Sequence, residues 1–66
     1  MLLSKAQKSL LDMLRRVGTM REEAAQRLLL MAYPHTSWEP IVHQLECLGQ
    51  IRRLHGLISR TDEERN

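Results

Sequence analysis

Ile41-Val42-His43-Gln44-Leu45-Glu46-Cys47-Leu48-Gly49-Gln50-Ile51-Arg52-Arg53 is the stretch on which the fold turns. Ile41, Val42, Leu45 and Leu48 recur at helical spacing, so they predict a helix with these four facing inward. Gly49 ends it, because glycine takes the left-handed backbone that closes a helix without a steric cost. Beyond Gly49 the period changes from helical to alternating. Residues 50–54 and 57–61 read as two strands around His55-Gly56, a two-residue link of the tight-hairpin kind, although histidine is a poorer first residue there than Asn or Asp. That turn predicts the pairs Leu54 with Leu57, Arg53 with Ile58, Arg52 with Ser59 and Ile51 with Arg60.

Upstream, Pro40 requires this helix to start between Ser37 and Pro40, since proline is tolerated only in a first helical turn. Its expected length is then about 9 to 11 residues, given the scatter of helix boundaries. Tyr33-Pro34-His35-Thr36-Ser37 reads as the turn before it, with Tyr33 packing at the end of the preceding helix. That preceding helix opens at Glu22-Glu23, where negative charge suits the positive end of the dipole, and carries the stripe Ala24, Ala25, Leu28, Leu29 and Met31. Further back, Ser4-Lys5-Ala6-Gln7 has Ser-x-x-Gln capping-box spacing and predicts the first helix, with Ala6, Leu10, Leu14 and Val17 inward and Gly18 as its stop. Thr19-Met20-Arg21 reads as a short extended link.

The order helix, extended link, helix, turn, helix, hairpin resembles a winged helix-turn-helix domain over roughly residues 4–61. Leu45-x-x-Leu48-Gly49-x-Ile51-Arg52-Arg53 looks like that family's recognition helix running into a basic first wing strand, and residues 18–29 are similar to its link from the first helix into the second. The expected class is α+β, mainly α with a small β-hairpin: a three-helix bundle plus a two-stranded wing over residues 1–61, and a disordered acidic tail at 62–66. The resemblance implies double-stranded DNA binding, with helix 3 (about 38–48) in the major groove, hairpin 50–61 on the backbone, and a role as a transcriptional or mobile-element regulator.

Charge is compatible with that partner. The net +2 conceals nine basic against five acidic side chains over residues 1–61, a balance of +4, and a tail of −2. Arg52, Arg53 and Arg60 on the hairpin, with Lys5 and Lys8 and then Arg15 and Arg16 on the first helix, are the candidate phosphate contacts. The competing reading is a solvated charged surface. Thr36, Ser37, Trp38, His43 and Gln44 are the candidates that could face bases, Gln44 because its amide can pair with adenine. Helix 3 itself has no Lys or Arg and carries Glu39 and Glu46. Trp38 has a second reading, folded over the small core with its indole N–H on a carbonyl. The alternative function is a protein–protein or homodimerisation module, supported by the acid-bearing helix 3 and by a surplus of leucines, Leu2, Leu3, Leu30, Leu54 and Leu57, that is hard to bury all at once.

The remaining arithmetic narrows the classes. A chain of 66 residues, 42% hydrophobic and 27% charged, has the make-up of one small folded domain. No cofactor, membrane span, small-molecule substrate or enzyme activity is expected, because glycine-rich loops and paired catalytic acids are missing and so short a chain could hardly enclose a pocket. His43 and Cys47 lie four apart, a spacing that could hold zinc with His35 or His55, but structural zinc sites show more cysteines, so no metal is expected either. The single cysteine cannot form an internal disulfide, which fits a reducing cytoplasm.

Overall fold

The computed structural model describes residues 3–61. The elements are α1 (Lys5–Val17), β1 (Thr19–Arg21), α2 (Glu22–Ala32), α3 (Trp38–Cys47), β2 (Ile51–Leu54) and β3 (Leu57–Arg60). The three strands form one antiparallel sheet in the order β1-β3-β2, so the domain is α+β, three helices packed with a three-stranded sheet.

The helix ends follow their local chemistry. Ser4 and Gln7 close a full capping box: the Gln7 amide donates to the Ser4 hydroxyl at 3.1 Å and the Ser4 amide to Gln7 Oε1 at 2.9 Å. At the other end of α1, Gly18 sits at φ 87° and its N–H reaches the Leu14 carbonyl. α3 runs ten residues from Trp38, with Pro40 in its first turn as required. It ends in a Schellman arrangement: Gly49, at φ 76°, donates to the Glu46 carbonyl, and Gln50 donates to that of Leu45, both at 2.9 Å.

The hairpin pairs in the expected register, Leu54 with Leu57 through Ile51 with Arg60. His55 and Gly56 both take positive φ, 54° and 76°, as a two-residue turn of this hand demands. Two strands were expected and three are present. Thr19-Met20-Arg21 is not a mere link but β1, paired to β3 through Thr19–Ser59, Met20–Ile58 and Arg21–Leu57. Its partner lies almost forty residues away, so nothing local announces it. The turn is tied down as well, the Glu22 N–H donating to the Gly56 carbonyl at 2.8 Å, so the hairpin tip is fastened to the start of α2.

Ala6, Leu10 and Leu14 of α1, Ala25 and Leu29 of α2, Trp38, Val42 and Leu45 of α3, and Ile51 and Ile58 of the sheet form the buried core. Leu3, Met20, Tyr33 and Ile41 pack partly against it. Each fully buried leucine or isoleucine contributes about 1.5–3 kcal/mol relative to exposure. Four residues expected inside are outside: Val17 is 56% exposed, Leu28 48%, Met31 75% and Leu48 43%. Val17 and Leu48 lie at the last turns of their helices, where the chain departs for the sheet before another layer covers them. Leu28 and Met31 lie beside the narrow line of Ala25 and Leu29, the two residues of α2 that are buried. Ile51, not Leu48, carries the core across Gly49.

Candidate nucleic-acid interface

Alternation along the strands separates the arginines. Ile51 and Ile58 face the helices, so Arg53, opposite Ile58, lies on the inner side, while Arg52, opposite Ser59, faces solvent. Two neighbouring arginines therefore have unrelated surroundings.

Arg53 is held by three carboxylates from two helices. Nη1 donates to Glu22 Oε2 at 2.7 Å and to Glu39 Oε2 at 3.2 Å, and Nη2 donates to Glu46 Oε1 at 2.8 Å. The guanidinium, Glu22 and Glu46 are each less than a third exposed, whereas Glu39 is largely in water. The bond to Glu46, then that to Glu22, raises the Arg53 pKa above its already high ordinary value against a smaller opposing effect of burial. Partial burial pushes the Glu22 carboxyl up, but the bonds from Arg53 and Trp38 and the attraction of the guanidinium together outweigh it and hold its pKa below the ordinary glutamate value. Arg53, expected on phosphate, has its charge matched within the protein. Its position on the inner side of the sheet is the reason.

Trp38 is likewise not at a groove-facing position. It is buried over the core, and its indole N–H donates to Glu22 Oε2 at 3.1 Å, not to a backbone carbonyl. Gln44 is half-buried, its side-chain oxygen accepting from Nε2 of the buried Gln7 at 2.7 Å; Gln7 Nε2 also reaches the Ile41 carbonyl at 3.3 Å. This amide pair joins α1 to α3. Of the expected base-facing set, Ser37 and His43 are exposed and Thr36 is half-buried. His43 Nε2 lies 3.5 Å from Cys47 Sγ, and among the described residues no group of three potential metal ligands occurs. The outward side of α3 thus presents Glu39, Pro40, His43 and Cys47.

A basic surface exists elsewhere. Arg15, Arg52 and Arg60, with Thr19, Ser59 and Gly18, line an open groove of about 770 Å³ where the end of α1 meets the sheet, floored by Leu14. None of its lining residues is acidic. Lys5 and Lys8 are exposed at the opposite end of α1, Lys8 about 10 Å of helix from Arg15. Charge is divided accordingly. The cluster of Arg53, Glu22, Glu39 and Glu46 carries −2, whereas over the rest of residues 3–61 eight basic side chains stand against Asp12 and Glu23, a balance of +6. Sequence reasoning had Arg15, Arg52 and Arg60 but not Thr19, whose place beside Ser59 depends on the unforeseen strand.

No family model matches the chain, and neither the curated proteins nor the solved structures give a match. No helix among the described residues is long and apolar enough to cross a membrane.

Proposed function

We propose that this chain is a winged helix-turn-helix domain that binds double-stranded DNA through its phosphate backbone, without base reading by α3. The element order α1–β1–α2–α3–β2–β3 and the sheet order β1-β3-β2 support the winged-helix assignment. One observation carries the partner: the uneven division of charge, +6 against −2, in so small a domain. Neutralising phosphates with Arg and Lys releases condensed counterions, which supplies most of the affinity in sequence-independent binding.

The same observation argues against α3 in the major groove. Glu39 and Glu46 would approach phosphates, and Arg53, whose guanidinium bonds both of them, is already held by carboxylates. Nor is the hairpin free to reach out as a wing, because its tip is bonded to α2.

Titrating the full chain into random-sequence duplex DNA at rising salt tests the proposal. Micromolar binding at low salt with a steep negative salt slope is expected. No affinity at low salt, or affinity that salt leaves unchanged, would overturn it.

A second reading is favoured by one specific feature. Leu54 and Leu57 stand opposite each other on the solvent face of the sheet, 58% and 44% exposed. Paired exposed leucines suit contact with another protein or a second copy, as a homodimer. Light scattering that gave the monomer mass up to millimolar concentration would remove the homodimer.

A further inference from the structure

We propose that the groove between the end of α1 and the sheet is the seat for phosphate groups, with Arg15 and Arg52 as its two principal ligands. The inference rests on the DNA reading only for the source of the phosphate; the chemistry belongs to the groove itself. Thr19, Ser59 and Arg52 stand in one row across β1, β3 and β2, because Ser59 is the register partner of both others. At the usual strand spacing the row is about 10 Å wide. It offers two hydroxyls and a guanidinium on the same exposed face, donors that commonly meet phosphate oxygens. Gly18 turns the chain from α1 into β1 beside this row, which brings Arg15 of the last helical turn to the same groove, and Arg60 lines it from the end of β3.

Three features distinguish this arrangement from an ordinary solvated surface. The arginines come from three separate elements and converge on one depression. No carboxylate lines it, although five acidic side chains lie within the described residues and three of them crowd around Arg53. The donors are mostly guanidiniums, whose planar fork fits phosphate oxygens two at a time in a way the ammonium of lysine does not. Phosphate can come from a duplex backbone or from a free inorganic anion, and both share this chemistry.

The test uses the full chain, ¹⁵N-labelled, titrated in one arm with inorganic pyrophosphate and in the other with random-sequence duplex DNA. Shifts at the Arg15 and Arg52 side-chain N–H signals and at the Thr19 and Ser59 amides are expected in both arms. The double variant Arg15→Gln/Arg52→Gln should bind duplex at least tenfold more weakly, with the salt slope reduced by about 2. Lys5→Gln/Lys8→Gln, an equal loss of charge at the far end of α1, should lose less than threefold. All four side chains are exposed, so an unchanged amide spectrum away from the substitutions establishes that both variants fold. Equal losses in the two double variants, or duplex shifts centred on α3, would overturn the phosphate seat and leave DNA binding standing. Pyrophosphate shifts at Arg15 and Arg52 with no duplex affinity would do the reverse, keeping the seat and removing DNA as its source.

Discussion

Replacing Arg53 with methionine keeps most of the side-chain volume, removes the charge, and leaves Glu22, Glu39 and Glu46 without their shared partner. The two closer bonds, to Glu22 and Glu46, join groups that are less than a third exposed. Charge-assisted bonds of this kind contribute roughly 1.5–3 kcal/mol when well buried, and solvent screening here brings each down to about 1 kcal/mol. The bond to Glu39, a side chain 71% exposed, adds close to nothing. The expected loss is therefore about 2 kcal/mol, which is large beside the roughly 3–5 kcal/mol that a core of this size sustains. At about 4–8 °C per kcal/mol for a domain of 60–100 residues, the melting temperature should fall by about 8–16 °C. Urea unfolding followed by Trp38 fluorescence gives the free energy, and a double-mutant cycle with Glu22→Gln isolates the pair, because glutamine keeps an acceptor for the indole N–H. A coupling of about 1 kcal/mol is expected with Glu22→Gln and under about 0.5 kcal/mol with Glu39→Gln. Arg53→Met within 0.5 kcal/mol of the parent, or a coupling to Glu39 as large as that to Glu22, would refute the reasoning; so would a drop in the salt slope of DNA binding, since a clamped guanidinium makes no phosphate contact to lose.

Glu22 carries a further pH dependence. Its folded pKa lies below the ordinary 4.5, so the stability it contributes is complete above about pH 4.5 and disappears as pH falls through the folded value; Glu22→Gln should flatten the fall in melting temperature below about pH 4.5. Gly49→Ala forces a Cβ into backbone at φ 76° and should cost about 1–2 kcal/mol by thermal melting, although the space around it is open. Leu45→Ala empties a fully buried site between α3 and the rest of the core and should cost about 2–5 kcal/mol, enough to leave the circular dichroism spectrum largely that of an unfolded chain at 37 °C. Leu57→Ser, on the exposed side of the sheet, should change stability by less than about 0.5 kcal/mol while weakening any self-association seen by light scattering.

Much of this domain is written locally. Ser4 and Gln7 mark where α1 begins, Pro40 limits where α3 starts, Gly18 and Gly49 stop their helices, and His55-Gly56 sets the register of the hairpin, because each acts through bonds or dihedral limits within a few residues of itself. Spacing also identified Leu10, Leu14, Leu29 and Leu45 as core. It failed at Val17, Leu28, Met31 and Leu48, since a helical period says which residues share a stripe but not how wide a stripe the neighbouring elements cover. β1 escaped detection for a related reason: three residues have no period of their own, and the hydrogen bonds that make them a strand come from β3.

The charged residues divide along the same line. Their number, and the excess of basic over acidic side chains across residues 1–61, were visible in the sequence alone. Tertiary structure decided their fate: it turned Arg53 inward to Glu22, Glu39 and Glu46, took Trp38 into the core on the same Glu22, and gathered Arg15, Arg52 and Arg60 into a groove with no acid in its lining. Sequence specifies what each side chain can do within the reach of its own backbone. Which distant carboxylate comes within 3 Å of a guanidinium depends on how three helices settle on a sheet, and that is set by the whole core at once.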